Sequence, residues 1–171
     1  MAEGAKDVGI ELNSLSKPFN MTGWRIGMAV GSADLIQAMA KVKGNTDSGI
    51  FNAIQYAGIR ALTACQENIQ KMLAIYERRR RAVLECFQEL GWSFSPLPGT
   101  FYLWFPVPEG MSSIEFTTAL FDRASVVVAA GSAYGEYGEG YVRISLTVED
   151  ERLEEALRRI RASMKGLRGP M

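Results

Sequence analysis

One lysine and one arginine stand eight residues apart in the segment Ser14-Leu15-Ser16-Lys17-Pro18-Phe19-Asn20-Met21-Thr22-Gly23-Trp24-Arg25-Ile26-Gly27, with no acidic residue between them. A lysine amine can form a Schiff base with an aldehyde. An arginine guanidinium grips phosphate through two parallel hydrogen bonds. The hydroxyls of Ser14 and Ser16 offer further donors to the same anion. Amine, guanidinium and hydroxyls together make half of a site for an aldehyde cofactor carrying a phosphate. The competing reading is a solvated loop lysine with an unrelated arginine nearby.

A second arginine of interest is Arg143, inside the apolar run Tyr141-Val142-Arg143-Ile144-Ser145-Leu146. An unpaired charge in such a strand is costly, so Arg143 needs an anionic partner. Glu136, Glu139 and Glu149 are candidates within the chain. A carboxylate on a ligand is the alternative.

Histidine is absent from the 171 residues. That removes Ser-His-Asp triads, histidine general bases and histidine metal sites, and leaves proton transfer to Lys, Asp, Glu, Tyr, Cys or a cofactor. Cys65 and Cys86 lack metal or redox spacing and read as reduced core thiols. No metal site is expected. The formal net charge is zero, so no global field draws the chain to nucleic acid or an anionic membrane. No apolar run is long enough to span a bilayer, and the N-terminus lacks the basic and apolar regions of a signal peptide. These features point to a cytoplasmic protein.

The elements that must position these residues follow from periodicity. Val8–Leu12 and Ile26–Val30 read as strands flanking the lysine segment. Ser32 is placed to cap a helix over Ala33–Val42, with a turn at Gly44–Gly49 and a helix over Ile50–Leu62. Gln66–Leu90 carries the longest apolar stripe, and Gly91 ends it. Beyond it, Trp92–Phe94 and Phe101–Phe105 read as strands around a Pro-Leu-Pro-Gly turn. Ser112 or Ser113 caps a helix to Arg123, Val126–Val128 and Tyr141–Leu146 are strands, and Glu149–Lys165 is an amphipathic helix. The fold class is α/β. Residues 1–62 look like strands and helices cut from a larger sheet, because two strands do not make an independent sheet. Residues 63–171 read as a long connecting helix and a small α/β domain.

Ser14-Leu15-Ser16-Lys17 followed by Asn20-Met21-Thr22-Gly23-Trp24-Arg25-Ile26-Gly27 resembles the cofactor-lysine signature of the class I/II, fold type I, pyridoxal-phosphate-dependent aminotransferases. The resemblance implies that Lys17 carries pyridoxal 5'-phosphate as a Schiff base and that Arg25 and Ser14 hold its phosphate, with Ser16 beside them. Gly140–Ser145 is similar to the strand whose arginine binds the substrate α-carboxylate, which implies that role for Arg143. Gly99–Tyr102 resembles the turn where the backbone approaches the substrate, and Gly131–Gly140 the glycine-rich loop before the arginine strand. The resemblance covers Val8–Lys165, and its segments look most like bacterial LL-diaminopimelate aminotransferases and their alanine/aspartate-type relatives. Asp47-Ser48-Gly49 is placed near the substrate on the same ground.

Chains of that family are more than twice this length. The resemblance therefore implies a C-terminal portion: a remnant of the large cofactor domain followed by the small domain. The expected partners are an amino acid, a 2-oxo acid and a second copy of the chain as a homodimer, with no nucleic acid. The expected activity of the chain alone is weak or absent, and the resemblance leaves open whether the chain alone holds the cofactor. Three alternatives stay open: a related lyase (carbon–sulfur or aminocyclopropane-carboxylate-forming), the aminotransferase-like part of a transcription regulator, and a non-catalytic module. Arg78–Arg81 spread around a helical turn and read as a solvated surface with room for ion pairs. Phe101, Tyr102, Trp104 and Phe105 read as core.

Overall fold

The computed structural model describes residues 3–92 and 99–165. They form two compact units, Met1–Met72 and Leu73–Met171, and the division falls inside one long helix. The elements are α1 (Ala5–Val8), β1 (Ile10–Ser14), β2 (Gly27–Gly31), α2 (Ala33–Thr46), α3 (Asn52–Ala64), α4 (Gln66–Glu89), β3 (Tyr102–Pro106), α5 (Ser113–Ala124), β4 (Ala129–Ala130), β5 (Tyr141–Ser145) and α6 (Asp150–Ser163). No described helix is long and apolar enough to cross a membrane.

In the first unit β1 and β2 pair antiparallel, from Ile10 opposite Gly31 to Ser14 opposite Gly27. The connection between them is the lysine segment. Behind it lies a small core: Leu15, Met21 and Ala61 are buried, with Phe19, Ile26, Met28 and Ala57 packed against them. Gly58 on α3 allows this approach, since a Cβ there would meet Ile26 Cδ1 at 2.8 Å.

The second unit has a three-stranded antiparallel sheet in the order β3-β5-β4. Alternation puts Leu103, Phe105, Val142 and Ile144 on the face toward the core. There Phe87 meets Trp92 and Phe105 with ring centroids 4.9 and 4.8 Å apart, and Trp92 meets Phe116 at 5.2 Å. Burying each such ring contributes about 1.5–3 kcal/mol. The opposite face carries Tyr102, Trp104, Arg143 and Ser145.

Several expectations move. Val8 ends the α1 turn instead of starting a strand, and β1 runs two residues later than expected. Ser32 precedes α2 but makes no side-chain cap bond. The same helix continues through Gly44 to Thr46 where a turn was expected. A mid-helix glycine costs about 1 kcal/mol, and the bonds Asn45 Nδ2 to Lys41 O (2.7 Å) and Thr46 Oγ1 to Val42 O (2.9 Å), with the Lys43–Asp47 ion pair, offset it. Val126–Val128 is not a strand. Ser125 turns left-handed (φ 52) to end α5, and the Val126 N–H is used on Leu120 O, so pairing starts only at Ala129. Trp92 is buried outside any strand. Residues 93–94 and the Pro96-Leu97-Pro98 part of the expected turn lie outside the described residues.

Candidate cofactor and substrate sites

The segment between β1 and β2 is a loop closed by its own ends: Leu15 N–H donates to Ile26 O at 3.2 Å. Ser14 is the last residue of β1, and its Oγ accepts the Ser16 N–H at 3.1 Å. Phe19 N–H donates to Leu15 O at 3.3 Å, which closes a turn containing Lys17. The extended backbone that Pro18 favours at Lys17 is therefore replaced by a turn. Proline is compatible with it, because the closing donor is Phe19.

Thr22 joins the two halves of the loop. Its Oγ1 donates to Ser16 O at 3.1 Å, and its carbonyl accepts from an Arg25 terminal nitrogen at 3.0 Å. Ser14, Ser16, Thr22 and Arg25 thus form one hydrogen-bonded chain around Lys17. Arg25 itself is left-handed, with φ 53. A non-glycine residue there is strained by about 1 kcal/mol or more, and such strain persists where the surroundings hold it. Lys17 and Arg25 are both exposed, Ser16 is buried.

This donor set fits pyridoxal phosphate. It offers a nucleophilic amine, a guanidinium and serine hydroxyls on one loop that carries two cations and no carboxylate. Arg25 makes no ion pair among the described residues, so its remaining N–H groups are available to a phosphate. Sequence reasoning quoted Thr22 but gave it no task. Its position inside Thr-Gly-Trp was the signal.

Arg143 is central in β5, opposite Trp104 on β3 and Ala129 on β4. None of the three expected glutamates pairs with it. Glu139 instead accepts the Ser113 N–H and hydroxyl, both at 2.8 Å, at the N-terminus of α5. Those bonds, the backbone one foremost, hold its carboxyl below the usual range. The Arg143 guanidinium packs over two tyrosine rings, its Cζ 4.2 Å from the Tyr102 centroid and 4.5 Å from that of Tyr134. Its side chain makes no hydrogen bond or ion pair with a described residue. Phe105 is core as expected, but Tyr102 and Trp104 are half-buried on the Arg143 face.

The arginine run is also resolved. Arg79 Nε bonds Asp150 Oδ1 at 2.6 Å and its terminal nitrogen bonds Leu146 O at 3.0 Å, while Arg78 pairs with the other Asp150 oxygen. The run carries ion pairs, and Arg79 departs from a solvated surface: its side chain is 15% exposed and ties α4 to the start of α6. Among the described residues no three His, Cys, Asp or Glu side chains cluster as metal ligands.

The family model for aminotransferase class I and II matches residues 2–160, and the chain belongs to that family. An LL-diaminopimelate aminotransferase from Halothermothrix orenii is 56% identical over 161 residues, which are 94% of this chain and 41% of that protein. One from Moorella thermoacetica is 51% identical over 94% of this chain and 41% of its own length. The substrate-bound BacF structure from Bacillus subtilis superposes with a TM-score of 0.89 at 37% identity, over 99% of this chain and 44% of that one. The chain thus spans about 41% of the length of the curated relatives it matches. The α/β elements described above are those of the C-terminal portion of fold type I aminotransferases.

Proposed function

We propose that this chain is the C-terminal part of a pyridoxal-phosphate-dependent aminotransferase that moves an amino group between an amino acid and a 2-oxo acid. The observation that carries this is the β1–β2 loop, where Ser14, Ser16, Thr22 and Arg25 are bonded in sequence around Lys17. Arg25 and the Ser14 hydroxyl take the cofactor phosphate, with Ser16 beside them. Lys17 Nζ is the attachment point. The same amine would take up the proton that leaves the substrate Cα. Arg143 fixes the α-carboxylate and so aims the Cα–H bond. When bound, pyridoxal phosphate supplies the electron sink that stabilises the resulting carbanion.

The named relatives favour LL-diaminopimelate or an alanine/aspartate-type amino acid as substrate. We read the assembly as a cytoplasmic homodimer on the same family ground. The pyridine nitrogen needs an acidic partner, and the lysine loop supplies none, so turnover by this chain alone is weak or absent. The test is borohydride reduction after incubation with pyridoxal phosphate, followed by peptide mass mapping. A pyridoxyl adduct concentrated at Lys17, with lower yield in Arg25→Ala, supports the reading. Labelling of Lys41, Lys43 and Lys71 as readily as Lys17 overturns it for this chain.

A further inference from the structure

We propose that Tyr102 and Tyr134 are positioning residues: they clamp the Arg143 guanidinium between their rings and leave only its edge open to a planar carboxylate. This rests on the substrate-binding role proposed for Arg143.

Arg79, Arg158 and Arg161 all bond carboxylates, at 2.6, 2.7 and 2.6 Å. Arg143 has rings at 4.2 and 4.5 Å and no ion pair among the described residues. A guanidinium is attracted to a ring face by the ring quadrupole, and the contact strengthens as water is removed. Its N–H groups lie in the guanidinium plane, so rings on its faces do not compete with a bidentate carboxylate at its edge. They do restrict its rotation. The ordering cost of binding then falls, because less side-chain freedom remains to be lost.

Both rings are themselves held. Tyr102 is on β3, in register with Ser145, two pairs along from Trp104 opposite Arg143 and on the same face of the sheet. Tyr134 ends the 3-10 turn Gly131–Tyr134. That turn is fixed by a close crossing of backbone: a Cβ on Gly131 would fall 2.0 Å from Gly138 O, and one on Gly138 would fall 2.0 Å from Gly131 O. Trp104 meets Tyr134 edge-on at 5.8 Å and stacks on Tyr141 at 5.8 Å, which braces the second ring from the sheet. The glycines of the loop therefore serve to place a tyrosine over an arginine.

The test is the Nε–H signal of Arg143 in the isotope-labelled chain, assigned by its loss in Arg143→Lys. Without ligand, the clamp predicts an upfield-shifted signal in slow exchange with water. Tyr134→Ala should return it to the position of exposed arginines, and Tyr134→Phe should keep it. Tyr134 is 49% exposed, so its truncation leaves the core intact. Tyr102→Leu gives an independent second arm with the same expected return. Pyruvate is then titrated, with neutral pyruvamide as control. We expect a saturable shift with pyruvate only, and about fivefold weaker binding in Tyr134→Ala, which is the worth of one partly exposed cation–π contact. A signal unmoved by either ring removal, or equal pyruvate affinity in wild type and Tyr134→Ala, overturns the clamp. A ring-dependent signal with no response to pyruvate leaves the clamp standing and overturns the carboxylate role of Arg143.

Discussion

Cys65 and Cys86 differ in surroundings more than in chemistry. Cys86 is fully buried on α4 among the aromatic core, and its Sγ lies 3.7 Å from Leu157 O. Burial pushes its thiol up to about 11 from 9.0. The reactive thiolate is thus scarce at neutral pH. Cys65 is half-buried at the end of α3. Iodoacetamide at pH 8 should label Cys65 in the native chain and Cys86 only after denaturation, read by peptide mass. The sign for stability follows from the raised value: the neutral buried thiol stabilises the fold fully below pH 9, and this contribution is lost as pH rises toward about 11. Equal labelling of both thiols in the native chain would contradict the burial argument. At this scale the sequence was most informative where type and spacing sufficed. Lys17, Arg25 and Ser14 could be grouped from the sequence because they lie within one short segment. The surroundings of Arg143 were not, because its ring partners depend on the β3–β5 register and on a glycine crossing, neither of which is a local pattern.

Helix ends show the same division between local and distant causes. The start of α5 was readable only to Ser112 or Ser113, and the structure makes Ser112 the cap. The structure has the full reciprocal box, with Ser112 Oγ accepting the Glu115 N–H at 3.2 Å and Glu115 accepting the Ser112 N–H at 2.8 Å. The start of α6 was not readable in full. Its acidic first turn was expected, but the Arg79 contact to Asp150 joins residues 71 apart. Arg79, then Arg78, holds the Asp150 carboxyl below its usual 3.8. A lowered carboxyl contributes stability that is present above the unfolded value and is lost as pH falls through the folded one. Asp150→Asn should therefore lower the urea midpoint at pH 7 and converge with wild type well below pH 3.8. A constant difference between the two proteins across that range would show that Asp150 acts through packing and not through its charge. Strand edges were the least legible elements. Val126–Val128 has strand composition, yet the left-handed Ser125 uses its first N–H to finish α5.

The two units differ in how much apolar surface they bury. The second has a cluster of aromatic and aliphatic side chains almost free of solvent, including Phe87, Phe105, Phe116, Leu120 and Val142. The first has three buried apolar residues, while Leu12, Val42, Phe51 and Tyr56 are 73, 68, 74 and 72% exposed. Among the described residues, β1 and β2 pair only with each other. A two-stranded sheet of this kind is marginal in water, and contiguous exposed apolar surface favours association. The difference predicts unequal local stability within one chain. Amide hydrogen exchange should be fast in β1, β2 and α2 and slow in β3, β5 and the middle of α5. Sedimentation velocity should show mass rising with concentration, and Leu12→Lys with Val42→Lys should shift the chain toward monomer while leaving the slow amides of the second unit unchanged. A sharp monomer at all concentrations, with β1 and β2 protected as strongly as β5, would mean that the small core around Leu15 and Met21 is sufficient by itself. In that case the lysine loop is held by the chain alone, and the weak turnover proposed for it would have to come from its cofactor contacts and not from a loose scaffold.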